Sequence, residues 1–156
     1  MQIIEYDKKY QKVIPELFTN TIHKTCNKDY SKEQLNVWAN IHIDYKAWHN
    51  RLNKTKPYLA IIDEKLVGFV EFYDDYIDCF YVHNEYQGKG VGKMLMNHIF
   101  KLAKQKEQSL LRVDVSITAK AFFEKFGFTE VKKNILKRQN IQLINYSMEN
   151  KINNIN

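Results

Sequence analysis

The sequence predicts an α+β domain, with helices and strands mixed along the chain, and three stretches carry that expectation. Tyr76–Val82 is β-branched and aromatic without helical periodicity, so it reads as a strand. It leads through Gln87-Gly88-Lys89-Gly90-Val91-Gly92 into a segment whose Val91, Leu95, Ile99 and Leu102 share one helical face. From Pro57 the chain reads as a β-meander: Tyr58–Ile62, Leu66–Tyr73 and Tyr76–Val82, with Asp63-Glu64-Lys65 and Asp74-Asp75 as the turns. Ahead of the meander the patterning is mainly helical. A length of 156 residues with 44% apolar content suits one globular domain, expected over 1–149, followed by a polar tail, 150–156, that frays.

At the start of the chain, Gln2–Tyr6 suits a short first strand. Asp7 is a candidate N-cap for a helix running to about Thr25, with Val13, Leu17, Phe18 and Ile22 as its inward stripe. Pro15 inside that pattern implies a kink or a later start. Ser31 with Gln34 forms a capping-box pattern before Leu35 and Trp38, and Trp48 with Leu52 marks more helix ending near Asn53. After the long helix, Ser109–Val115 reads as a fifth strand. Ser116 or Thr118 can cap a short helix that Gly127 ends in the left-handed conformation. Phe128–Lys137 and Ile141–Met148 read as a closing hairpin.

Composition excludes several classes. No apolar run approaches the roughly 18 residues that span a bilayer, and the N-terminus lacks a signal-peptide pattern. Cys26 and Cys79, without C-x-x-C spacing, suggest neither a disulfide framework nor a metal site, so a cytoplasmic protein without metal is expected. The net charge of +6 comes from lysines scattered along the chain, which describes a solvated surface rather than a nucleic-acid face. The same balance attracts a polyanionic cofactor.

The glycine-rich turn is where chemistry enters. A helix N-terminus presents N–H groups without intrahelical partners and the positive end of the dipole, and glycines let a ligand touch the backbone. Lys89 and Lys93 add charge, so the expected guest is a phosphate or pyrophosphate. The alternative is a tight turn with no ligand. The spacing matches neither the P-loop nor G-x-G-x-x-G. It resembles the Q/R-x-x-G-x-G/A signature of GNAT-superfamily N-acetyltransferases, with Gln87, Gly90 and Gly92 at the marked positions. The stretch from Ser116 to Gly127-Phe128 is similar to the family pattern N-x-x-A-x-x-x-Y-x-x-x-G-F, with Ser116 in the Asn place and Phe123 where tyrosine is usual. V-W-A at Trp38, Y-I-D from Tyr76, and V-D-V-S-I-T-A-K-A-F-F-E-K-F-G-F resemble the YafP-like branch.

The resemblance implies the GNAT acyltransferase fold, a central twisted, mostly antiparallel sheet of six to seven strands flanked by about four helices. It implies direct transfer of acetyl from acetyl-coenzyme A to a primary amine of a small molecule or peptide, by a monomer or homodimer. Phe80, Tyr81 and Val82 would pair with the pantetheine arm, with the N–H of Tyr81 or Val82 polarising the thioester. Gln87, Gly88, Lys89, Gly90, Val91, Gly92 and Lys93 would hold the pyrophosphate, with Ser116 and Phe123 also at the cofactor. Trp38, His42, Tyr45 and Trp48 are candidates for the acceptor pocket as well as for the core, and Glu71 for the acceptor or the base. Strand alternation sets Tyr76, Asp78, Phe80 and Val82 on one face. The resemblance puts Asp78 and Tyr76 forward for proton transfer, since family members with a glutamate base often carry it near the start of this strand, with Asp114 and Glu71 the alternatives. An Asp in a mainly apolar strand is costly unless paired or hydrated. With Phe123 in the usual acid's place, Tyr76 or Tyr81 serves instead, or the thiolate leaves unassisted. A non-catalytic acyl-coenzyme A-binding module is the alternative function, resting on that missing tyrosine.

Overall fold

Seven strands form one sheet in the order β1-β2-β3-β4-β5-β7-β6 in the computed structural model, which describes residues 1–152. The strands are β1 (Gln2–Ile4), β2 (Tyr58–Ile62), β3 (Lys65–Tyr73), β4 (Tyr76–Val82), β5 (Leu110–Ser116), β6 (Thr129–Arg138) and β7 (Ile141–Lys151). Five of the six pairings are antiparallel, and β4–β5 is the parallel one. The described residues hold five α-helices: α1 (Val13–Thr25), α2 (Lys32–Trp38), α3 (Tyr45–Thr55), α4 (Val91–Gln105) and α5 (Lys120–Lys125). The crossover from β4 to β5 is α4, as a parallel pair requires. Among the described residues no helix is long and apolar enough to cross a membrane.

Local chemistry accounts for most boundaries. Asp7 caps a 3-10 turn at Lys8–Tyr10, accepting from the Lys9 N–H, rather than α1 itself. The helix proper starts at Val13, which puts Pro15 in its first turn, where the missing N–H costs nothing. That start leaves Val13 40% exposed, outside the expected stripe, while Ile14, Leu17 and Ile22 are buried. Ser31 and Gln34 make both bonds of the capping box on α2. Asp44 caps α3, which runs to Thr55, past the expected end at Asn53. Gly127 takes φ +95° after α5. β7 continues past the expected boundary: Asn150 and Lys151 pair with Leu111 and Leu110, and the Ile152 N–H reaches the Ser109 carbonyl. A frayed tail from Asn150 is thus corrected; residues 153–156 lie outside the described residues.

Each face of the sheet has its own core. On one, Val91, Leu95, Met96, Ile99 and Ala103 of α4 pack with Phe123 of α5 onto Val70, Ile77, Val113 and Val115. On the other, α1 and α3 bury Leu17 and Leu52 against Leu59, Leu66, Phe69 and Cys79, and α1 and α2 bury Ile22 and Leu35 against Leu143.

One irregularity in β4 shapes the centre of the sheet. Phe72 pairs with Ile77, but Val70 pairs with Phe80, so Asp78 and Cys79 together oppose Glu71. This two-against-one bulge reverses the side-chain alternation along β4. Ile77, Phe80 and Val82 lie toward α4, whereas Cys79 and Tyr81 lie on the opposite face, and Tyr76 and Asp78 make their contacts there too. The expectation that Tyr76, Asp78, Phe80 and Val82 share a face is therefore wrong, because a strict period of two cannot cross the extra residue. Beyond the bulge the parallel pair also parts: β4 and β5 are registered only at Tyr76–Arg112 and Ile77–Val113.

Candidate active site

The parting of β4 and β5 leaves backbone groups of β4 facing a gap. The His83 N–H bonds to the Val67 carbonyl at 2.8 Å. Antiparallel alternation from that bond gives the N–H and C=O of Tyr81 to Phe69 and turns those of Phe80 and Val82 away from β3. The Val82 carbonyl is taken by the Gln87 side chain at 2.8 Å and by the Thr21 hydroxyl. The N–H groups of Phe80 and Val82 are the ones aimed into the gap, and that of Tyr81, one of the two expected there, is committed to β3.

At the mouth of the gap stands the glycine-rich turn. Gly88 and Gly90 adopt φ +71° and +85°, and a Cβ on either would meet nothing within 4 Å. In α4 the Met94 N–H is bonded to the Gly90 carbonyl, so the N–H groups of Val91, Gly92 and Lys93 have no intrahelical partner. Gly92 has a different job. A Cβ there would sit 2.9 Å from the Phe122 ring, so this glycine lets α5 approach α4. A backbone cradle open to solvent at a helix N-terminus fits a pyrophosphate.

On the α2 side of the sheet a cavity of about 110 Å³ is lined by Trp38, Tyr81, Asp114, Ser116, Leu143 and the β6 residue Arg138, among others. The Asp114 carboxylate accepts from the Tyr76 hydroxyl (3.0 Å) and the Ser147 hydroxyl (2.5 Å). Asn134 donates to Ser147 and to the Asn145 side-chain carbonyl, both at 2.9 Å. Burial first, then Asp114, raises the Tyr76 phenol. Burial chiefly holds the Tyr81 phenol well above its ordinary range.

Asp78 is in a different circumstance. It accepts from Tyr73 at 2.6 Å and lies 3.2 Å from Nη2 of Arg51. The same guanidinium grips the fully buried Glu71 and reaches Cys79 Sγ at 3.2 Å, and the Thr55 hydroxyl donates to Glu71 at 2.7 Å. Burial, with Asp78 next, pushes the Tyr73 phenol up to about 12. Glu71, Asp78 and Cys79 offer atoms within 4.8 Å of one another, and Arg51 contacts all three, so a guanidinium already fills the space among them.

Of the expected acceptor residues, Trp38 lines the cavity. Tyr45 instead bonds Glu16 at 2.8 Å, Trp48 packs edge-on against Phe18, and Glu71 is sealed by Arg51 and Thr55. Ser116 lines the cavity and accepts from the Ala119 N–H. Phe123 is a core residue, 3% exposed, against Phe80, Phe122 and Phe128 rather than at an open site. Sequence reasoning missed Arg51, Ser147, Asn134 and Arg138. One signal was available for two of them: the chain has three arginines among 24 basic residues, and two of the three are Arg51 and Arg138.

The model of the acetyltransferase (GNAT) domain matches residues 26–150. The chain belongs to the GNAT acetyltransferase family. As a GNAT member it is an N-acetyltransferase that draws its acetyl group from acetyl-coenzyme A. Among relatives, the uncharacterized N-acetyltransferase YafP of Escherichia coli (strain K12) is 33% identical over 97% of this chain and 96% of its own, which supports the YafP-like branch. A crystal structure of a GCN5-related N-acetyltransferase from Rhodopseudomonas palustris superposes with a TM-score of 0.90 at 30% identity, covering 97% of this chain and 95% of that one. The PaiA N-acetyltransferase of Thermoplasma acidophilum, solved in complex with coenzyme A, shares the fold, with a TM-score of 0.74 at 20% identity over 97% of this chain and all of that one.

Proposed function

We propose that this GNAT enzyme acetylates the primary amine of a small molecule or peptide by direct transfer, with Asp114 as general base. The observation that carries the assignment is the difference between the two carboxylates. Asp114 lines the cavity and is held by neutral hydroxyls, whereas Asp78 is paired with Arg51. A carboxylate engaged by a guanidinium has its charge already compensated, whereas one that faces a cavity between hydroxyls can meet the acceptor ammonium.

When bound, acetyl-coenzyme A supplies an activated thioester. Gln87, Gly88, Lys89, Gly90, Val91, Gly92 and Lys93 would hold its pyrophosphate, and the N–H groups of Phe80 and Val82 would bond its pantetheine arm and polarise the thioester carbonyl. Asp114 takes a proton from the acceptor ammonium, and Tyr76 and Ser147 hold its oxygens in place for that step. Tyr81 lines the cavity and would offer its hydroxyl to the departing sulfur. Two unpaired cysteines, both buried, suit a cytoplasmic enzyme, and the chemistry asks for one subunit, alone or in a homodimer.

Thiol release and calorimetry test the assignment together. Asp114→Asn lowers turnover about a hundredfold or more with acetyl-coenzyme A affinity unchanged. Asp78→Asn lowers it by less than about tenfold. Unaltered turnover in Asp114→Asn sinks this choice of base.

A further inference from the structure

We infer that the acceptor carries an anionic group at its far end, about a short peptide's length from its amine, and that Arg138 receives it. This rests on Asp114 as the proposed base. The wall of the cavity is graded along β7. Asp114 pairs with Ser147, Ser116 with Asn145, Leu136 with Leu143, and Arg138 with Ile141. These are alternate positions, so their side chains leave one face of the sheet. The wall therefore passes from a carboxylate through amide and hydroxyl groups and a pair of leucines to a guanidinium.

The apolar and the cationic zones are left open to a ligand. Leu136 remains 38% exposed although it is large and apolar. Tyr30, which also lines the cavity, spends its hydroxyl on the Ile144 carbonyl and the Ile117 N–H, so toward a guest it offers a ring. Arg138 enters no ion pair among the described residues, whereas Arg51 and Arg112 both do. A guanidinium in a chain that otherwise uses lysine suits planar, two-pronged recognition of a carboxylate or phosphate. Lys132, Lys133 and Lys137 share β6 with it, and no acidic residue lies between Lys132 and Arg138.

The spacing sets the length. Ser147 and Ile141 are six positions apart, about 20 Å along an extended strand. Asp114 and Arg138 line one cavity of about 110 Å³, so their charged groups stand closer than the strand spacing, and a span of roughly half of it is the length to test. An extended tripeptide spans about 10 Å from its amine to its carboxylate.

Alanine, dialanine and trialanine, each assayed as the free acid and as the C-terminal amide, form a ruler for this spacing. With the wild-type enzyme and acetyl-coenzyme A, kcat/KM rises along the acid series, and trialanine exceeds its amide by about tenfold, the worth of one charge-assisted contact. Arg138→Gln brings that acid-to-amide ratio to about one, while circular dichroism shows the fold intact. Equal rates for acid and amide in the wild-type enzyme, or a ratio that survives Arg138→Gln, overturn the inference. Asp114→Asn separates it from the assignment of the base, because that change lowers acids and amides together and leaves their ratio in place.

Discussion

Two aspartates lie on the same face of the sheet, and what surrounds each decides what it can do. Asp78 meets a phenol and a guanidinium, so its charge serves structure; Asp114 meets two hydroxyls and an open cavity. The same logic applies to Phe123, which occupies the position where the family pattern has tyrosine. Its ring is enclosed by Phe80, Phe122 and Phe128, so a hydroxyl added there meets rings and no acceptor among them. Phe123→Tyr is expected to destabilise the fold by roughly 1–3 kcal/mol in urea unfolding and to leave turnover flat or reduced. A clear gain in turnover at unchanged acetyl-coenzyme A affinity is the contrary result, and it would return the proton-donor role from Tyr81 to this helix.

At the scale of elements, the strand–turn–helix unit divides labour among its glycines. Gly90→Asp introduces a negative charge beside free N–H groups; its Cβ has room, but φ +85° strains a side chain, so urea unfolding should show a loss of about 1–2 kcal/mol with the fold retained. Acetyl-coenzyme A binding should weaken by about tenfold or more, which calorimetry reads directly. Gly92→Ala acts the other way: its Cβ would press on the Phe122 ring at 2.9 Å. That overpacking should cost roughly 1–3 kcal/mol of stability, seen as a lower urea midpoint. This unit was legible in the sequence because its signals are local: β-branched strand, turn glycines, one apolar helical face. The capping box of α2 and the left-handed Gly127 were legible for the same reason. The bulge at Asp78–Cys79 was not, since it exists only in the register against β3. Nor was the pairing of Asp114 with Ser147, which joins strands 33 residues apart. A strict period of two breaks at that residue, so which β4 side chains share a face was not legible either.

Across the whole molecule, one buried cluster ties the helical layer to the irregular part of the sheet. Arg51 on α3 reaches Glu71 on β3 and Asp78 and Cys79 on β4, the very residues of the two-against-one bulge. The bulge lies where β4 parts from β5, and that gap is what the catalytic proposal requires, so the network braces the site without touching the reacting atoms. Its two ends are not equivalent. Glu71 is wholly buried, whereas the Arg51 side chain is 39% exposed and has Asp78 as a second partner. Arg51→Met leaves a carboxylate in the interior with only the Thr55 hydroxyl of its present side-chain partners, a loss of about 3 kcal/mol or more. Glu71→Met leaves a cation that still reaches water and Asp78, and should cost roughly half as much. The double variant should then be more stable than Arg51→Met alone, because the stranded charge is gone. Urea unfolding of the three variants checks this order. If Glu71→Met proves the more damaging single change, Arg51 rather than Glu71 is the member whose burial depends on the pair.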